Sequence, residues 1–141
     1  MSKEKNIWIV GIIGIICTLI LASIILFLIS TESIVKNEKY YVSLFAEYIE
    51  DCEIEYRLKD NTRVDILTQH YAIEVDFEKK WYEAIGQALH YELLTNLIPG
   101  IVLIIDDNNS RNLERLLRVA EKYNIMVWSI DRETEIIIWR N

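Results

Sequence analysis

The chain has 141 residues, which is room for one globular domain, so we expect one functional site and not several. It carries 15 Lys and Arg against 22 Asp and Glu, a formal charge of -7 at pH 7. This charge excludes a general, sequence-independent attraction for nucleic-acid phosphate. The two cysteines, Cys17 and Cys52, fall in different predicted segments, so the pattern also excludes an internal disulfide.

An uncharged apolar run of 23 residues lies near the N-terminus, at residues 7–29. At about 1.5 Å of rise per residue, a helix of this length would span about 35 Å, enough to cross a bilayer. The run therefore predicts a transmembrane anchor at 7–29, with a short tail at 1–6 and a linker at 30–37. A cleaved signal peptide is the alternative, although its apolar core is usually about 7 to 15 residues long.

This anchor implies a single-pass membrane protein with the lipid bilayer as a partner. Two lysines on each side of the run balance one another, so charge does not fix its orientation. Gly14, Thr18 and Ala22 form a ridge of small residues at the spacing that lets two membrane helices pack, which predicts a helix-mediated homodimer.

Residues 38–141 have the pattern of one mixed α/β domain. Helical spacing of apolar residues predicts helices at 38–51, 79–96 and 112–123. Alternating or continuous apolar runs predict strands at 54–58, 64–66, 71–77, 101–105, 126–130 and 135–139. The order α-β-β-β-α-β-α-β-β predicts a mixed sheet with helices packed against it. Without Lys3, Lys5 and Glu4, the rest of the chain has 13 basic and 21 acidic residues, a formal charge of -8.

Two acidic residues fall on adjoining strands of a predicted tight hairpin. If residues 69–70 form its two-residue loop, the register places Asp65 directly opposite Glu74. Opposed side chains have Cβ atoms about 4.5 to 5.5 Å apart, and like charges at that distance are destabilising. The pair therefore predicts a positive group between the two carboxylates, and Asp76 points to the same face as Glu74.

A divalent cation is one candidate for that group. Mg²⁺ is commonly held by one or two carboxylates while it keeps several waters, and Mn²⁺ is the other cation considered. Such a site polarises a phosphodiester and activates water. The alternative is an acidic face that is simply solvated, or neutralised by Arg57 or Arg63.

Three stretches resemble the core of the PD-(D/E)XK (restriction-endonuclease-like) nucleases, including their RecB-like branch. They are 63–68 (RVDILT), 72–77 (AIEVDF) and 80–91 (KWYEAIGQALHY), and the likeness extends over residues 40–130. The resemblance implies an α-β-β-β-α-β core with flanking helix and strands, Asp65 and Glu74 as metal ligands, and Gln87 with Tyr91 as the Gln-xxx-Tyr motif. It also implies Mg²⁺-dependent endonuclease activity on DNA, with the domain facing the cytoplasm.

The chain departs from the family pattern at one position. The usual Glu-x-Lys is here Glu74-Val75-Asp76, so the strand lysine is missing. Lys80 is the predicted replacement, because it lies at i, i+7 and i+11 from the glutamine and tyrosine of the motif, and Lys79 is the second choice. Each of these side chains also has an ordinary role open to it, as surface lysine, polar edge residue or packed aromatic.

Two further acidic residues are weaker candidates. Glu47 on the first helix matches an acidic position that the resembling family often carries, and Glu55 is expected to approach Asp65 across the first hairpin. Gly86 inside a predicted helix suggests close packing against another element. The competing hypothesis for function is a membrane-tethered interaction or inhibitor module on the same fold, whose chemistry has decayed. The missing lysine and the acidic charge favour it.

Overall fold

The computed structural model describes residues 13–25 and 36–141. Residues 13–25 form a helix, α1. Among the described residues, no helix combines the length and the apolar character needed to cross a membrane. The predicted anchor at 7–29 and the single-pass membrane localisation are therefore wrong; residues 7–12 and 26–29 of that segment lie outside the described ranges.

The mixed α/β fold predicted for the remainder is observed, without the transmembrane helix placed before it. Residues 36–141 form a compact unit with one six-stranded sheet in the order β1-β2-β3-β4-β5-β6. Its elements are α2 (Glu38–Ile49), β1 (Glu53–Arg57), β2 (Arg63–Leu67), β3 (Tyr71–Phe77), a 3-10 turn (Glu78–Lys80), α3 (Trp81–Thr95), β4 (Ile98–Ile105), α4 (Arg111–Tyr123), β5 (Met126–Asp131) and β6 (Ile137–Trp139).

The sheet has a parallel centre and antiparallel edges. Strands β3, β4 and β5 are parallel, whereas β1, β2 and β6 run antiparallel to their neighbours. Helices α3 and α4 are the crossovers between the parallel strands, and successive crossovers of one hand fall on the same face of a sheet. Both pack on that face, while α2 covers the opposite one.

The two faces of β4 explain its continuous apolar run. Val102 and Ile104 pack under α2, together with Phe45, whereas Ile101 and Leu103 pack under α3 and α4. All four of these β4 residues are at most 1 % exposed. A central strand covered on both sides has no solvent face, so its sequence shows no alternation.

The hairpin between β2 and β3 has the predicted register. Ile66 pairs with Ile73 and Leu67 with Ala72, and Thr68 N donates to the carbonyl of the residue that follows the two-residue loop. This connection places the beginning of β3 beside the end of β2. It therefore brings the acidic residues of the two strands to one region of the sheet.

Strand β4 begins at Ile98, three residues before the predicted start at residue 101. Helix α3 ends at Thr95, and its cap residue Asn96 adopts the left-handed conformation and donates its N–H to Glu92 O. Pro99 and Gly100 both lie inside β4. A Cβ on Gly100 would lie 2.8 Å from Cγ1 of Ile73, so this strand approaches β3 closely only because the residue is glycine.

Candidate active site

Asp65 and Glu74 line one cavity of about 420 Å³ beside the β2–β3 hairpin. Both carboxylates are largely buried, at 8 % and 6 % exposure. The other residues that line the cavity are Glu38, Thr62, Arg63, Gly86, Gln87, His90 and Tyr91. The cavity thus combines side chains from β2, β3, α3 and the first turn of α2.

Asp65 is fixed where the β2–β3 ladder opens. The described ladder pairs of these strands end at Ile66 and Ile73, and beyond them Asp65 Oδ2 accepts a hydrogen bond of 2.8 Å from Val75 N. The carboxylate therefore takes the place of a backbone acceptor for the N–H of Val75. This bond holds Asp65 next to the residue that follows Glu74, although the predicted ladder pair of Asp65 with Glu74 is not formed.

Glu74 is held from α3 by Tyr91. The Tyr91 hydroxyl oxygen lies 2.8 Å from Glu74 Oε2 and 2.7 Å from the Arg63 carbonyl oxygen. One hydroxyl proton cannot serve two acceptors at once. A protonated Glu74 satisfies all three groups, because it donates to Tyr91 while Tyr91 donates to Arg63 O.

The two carboxyls are raised in pKa by their surroundings. Burial raises the pKa of Asp65 to about 6, while the hydrogen bond from Val75 N opposes the shift. Burial and then the charge of Asp65 raise the pKa of Glu74 to about 9. Burial, followed by the charge of Glu74, also raises the pKa of Tyr91. Both shifts favour the protonated form of the carboxyl pair, and a bound cation would displace such a proton.

The donor set fits a small oxygen-preferring cation. Within the described residues, no Lys, Arg or His forms an ion pair with Asp65 or Glu74. A buried carboxylate pair without a cationic partner suits Mg²⁺, since Mg²⁺ commonly uses one or two carboxylates and keeps its waters. In residues 13–25 and 36–141 no group of three or more His, Cys, Asp or Glu is placed to hold a metal ion.

Lys80 lies beside this cavity and not among the residues that line it. Its Nζ is 3.2 Å from Asp76 Oδ1 and 3.7 Å from Glu38 Oε2. The hydrogen bond with Asp76 raises the pKa of Lys80, and burial raises the pKa of Asp76 despite that contact. Asp76 is thus buried at 2 % exposure as the partner of Lys80, and it is not a residue of the cavity wall.

The remaining predicted residues divide into two groups. Gln87 and Tyr91, one turn apart on α3, both line the cavity. Glu55 does not line the cavity. It pairs with Arg63, and its charge contributes to the raised pKa of Asp65. By contrast, Glu47 is an exposed residue near the other end of α2. Lys79 lines a second cavity with Lys80 and Arg132.

Five residues of the cavity wall were not predicted as part of the site: Glu38, Thr62, Arg63, Gly86 and His90. Glu38, and not Glu47, is the acidic residue that α2 contributes, because Asn37 caps the helix and places Glu38 in its first turn. The cap residue followed by an acidic residue was a signal available in the sequence. Arg63 and His90 also line the cavity, and their spacing was a signal too, because Arg63 lies two residues before Asp65 on β2 and His90 lies three residues after Gln87 on α3.

Comparison with known proteins adds no family assignment. No protein-family model matches the sequence, and comparisons with curated proteins and with solved structures give no significant match. The resemblance to PD-(D/E)XK nucleases therefore rests on the residues quoted above.

Proposed function

We propose that this protein hydrolyses phosphodiester bonds of DNA with Mg²⁺ or Mn²⁺ held by Asp65 and Glu74. The observation that carries this proposal is the buried pair of carboxylates on one cavity wall, raised in pKa and without a cationic partner among the described residues. Keeping two such groups together costs stability unless a ligand repays it. The resemblance of the β2–β3–α3 sequence to nuclease cores supplies the reaction class.

Each residue of the site has a role that its contacts support. Asp65 and Glu74 would hold the cation, which polarises the phosphodiester and lowers the pKa of bound water. Val75 N fixes the carboxylate of Asp65, and Tyr91 fixes that of Glu74. Gln87 is an exposed amide on the cavity wall, suited to orienting substrate oxygens by hydrogen bonds.

Lys80 supports the site electrostatically through its acidic neighbours. Its ammonium contacts Glu38, a residue of the cavity wall, and Asp76 on the strand that carries Glu74. Lys80 is half exposed beside the cavity. Its positive charge reduces the electrostatic repulsion among these carboxylates. We assign to it a long-range electrostatic effect on negative charge that develops at the cavity, without direct contact with substrate.

The test is cleavage of single-stranded, duplex and branched DNA by the full chain with Mg²⁺ or Mn²⁺. Asp65→Asn and Glu74→Gln keep the shape of each side chain and remove its charge, so each should lower the rate at least about 100-fold if the metal is lost. Glu47→Gln is the matched control, because Glu47 is an exposed carboxylate outside the cavity. Equal rates in all three variants would reject hydrolysis at this site.

A second candidate is a non-catalytic interaction or inhibitor module on the same fold. It is favoured by Lys80, whose ammonium is engaged by two carboxylates and is absent from the cavity wall. In that case the acidic surface would bind a basic partner by charge complementarity. Lys80→Gln separates the two functions. In a nuclease it should reduce the rate of cleavage about tenfold or more, whereas in a binding module it should leave the affinity for the partner unchanged.

A further inference from the structure

Arg63 and His90 form a nitrogen-bearing wall of the cavity that holds Asp65 and Glu74. Arg63 begins β2, and His90 lies on α3 one residue before Tyr91. The domain as a whole is acidic, so two cationic or proton-donating groups beside the carboxylate pair stand out from their surroundings.

Each of these side chains is anchored by an acidic residue at one of its nitrogens. Arg63 is paired through Nε with Glu55. His90 Nε2 lies 2.7 Å from Asp60 Oδ2, and Asp60 Oδ1 in turn accepts from Thr62 N at 3.0 Å and from Thr62 Oγ1 at 2.6 Å. These contacts fix the orientation of both side chains before any ligand arrives.

The anchoring leaves the remaining nitrogens available. Among the hydrogen bonds of residues 13–25 and 36–141, no partner binds Nη1 or Nη2 of Arg63, or Nδ1 of His90. Arg63 is also held through its main chain, since its carbonyl oxygen lies 2.7 Å from the Tyr91 hydroxyl. Both residues thus present oriented and unused nitrogens at the wall of a cavity that also contains an acidic pair.

We propose that Arg63 and His90 bind a phosphate group of the DNA substrate, beside the carboxylates that hold the cation. A guanidinium matches two phosphate oxygens at once, and charge-assisted hydrogen bonds of this kind are about twice as strong as neutral ones. An imidazole held by a carboxylate donates from its second nitrogen when protonated. The inference rests on the proposed function for its substrate class, and it assigns to this wall the phosphate contact that Lys80, outside the cavity, does not supply.

The experiment measures binding of a labelled duplex DNA to the full chain in Ca²⁺, which also takes oxygen ligands. Arg63→Gln and His90→Gln should each raise the dissociation constant about tenfold. Arg63→Gln should also reduce the slope of log K against log salt by about one, since one phosphate contact is lost. A purely structural role would not change this slope.

Matched controls exist for both residues. Arg57 pairs with Arg63 across β1 and β2 but does not line the cavity, and His70 is the exposed histidine of the β2–β3 loop. Arg57→Gln and His70→Gln should change the dissociation constant less than twofold. Thermal unfolding of each variant shows that it is folded; if Arg63→Gln unfolds, Arg63→Lys, which keeps the charge but loses the planar fork, replaces it and should weaken binding in the same direction.

The outcomes separate this proposal from the hydrolysis proposal. If the wild-type protein cleaves DNA but the Arg63→Gln and His90→Gln variants keep its affinity and salt slope, the proposed phosphate contact is wrong. The hydrolysis proposal then stands. Wild-type protein that binds DNA through these two residues without cleaving it supports the wall and overturns hydrolysis. Wild-type protein that binds no DNA overturns the wall.

Discussion

The arrangement of Asp65, Glu74 and Tyr91 is costly for the fold by itself. Two acidic side chains are buried side by side, and one tyrosine proton faces two acceptors. Such groups lower the free energy of unfolding unless they are protonated or bind a cation. At the residue scale, this arrangement therefore favours the binding of a proton or a cation.

The pH dependence of stability follows from these raised pKa values. Folding raises the pKa of Asp65 from 3.8 to about 6 and that of Glu74 from 4.5 to about 9. Because both folded values lie above the unfolded ones, the stabilisation is complete below about pH 4 and is lost as pH rises through about 6 and then about 9. Without divalent cations, the free energy of unfolding should fall across this window by several kcal/mol, because each unit of pKa shift corresponds to about 1.4 kcal/mol.

Urea unfolding in a chelating buffer at a series of pH values measures this decline. Glu74→Gln should be more stable than the wild type at pH 8 and should show a flatter pH profile, because the substitution keeps a neutral side chain at that position. Glu47→Gln serves as the control and should follow the wild-type profile. An unchanged profile in Glu74→Gln would show that Glu74 is ionised in the folded domain.

At the scale of single elements, turn and strand patterns were predictable, and strand ends were not. The two-residue loop fixed the register of β2 and β3, so the neighbourhood of Asp65 and Glu74 followed from sequence. The beginning of β4 did not, because Pro and Gly ordinarily signal a break. Here a left-handed Asn96 ends α3, and the glycine serves close packing of strands.

Gly100 should tolerate no larger residue without cost. An added Cβ would lie 2.8 Å from Ile73 Cγ1 and 3.2 Å from Trp128 Cζ3, two buried side chains that have little room to move. Gly100→Ala should therefore reduce the free energy of unfolding by about 1 to 3 kcal/mol. Chemical denaturation of the variant beside the wild type measures the difference.

Gly86 is the matched comparison and corrects an expectation. A glycine in mid-helix suggested close packing, yet a Cβ added at Gly86 meets no atom within 4 Å. Gly86→Ala should therefore stabilise α3 by about 1 kcal/mol, the difference in helix propensity. A loss of stability in Gly86→Ala, or none in Gly100→Ala, would contradict this account of the two glycines.

At the scale of the whole molecule, local pattern found the sheet and half of the cavity wall. Asp65, Glu74, Gln87 and Tyr91 lie on elements with strong periodicity, and all four line one cavity. Glu38 reaches it through the packing of α2 on the sheet, which no spacing along the chain encodes. Arg63 and His90 share elements with predicted site residues, two residues from Asp65 and three residues from Gln87. The prediction of a membrane span at 7–29 was wrong, because it rested on the hydropathy of the run alone.

Acidic charge predominates around the carboxylate pair. Glu38, Glu55 and Asp76 add their charges to it, and among the described residues only Lys80 and Arg63 form ion pairs with these three. Such an excess of negative charge favours a divalent cation and requires positively charged groups where a phosphate must approach. Metal binding is therefore the property on which the proposed hydrolysis depends.

The most direct test is calorimetric titration of the full chain with Mn²⁺ at pH 7 to 8. We predict one site at which binding releases about one proton, with affinity lost in Asp65→Asn and Glu74→Gln and retained in Glu47→Gln. Absence of saturable binding at millimolar Mn²⁺, or equal binding by all three variants, would contradict the claim that Asp65 and Glu74 hold a divalent cation.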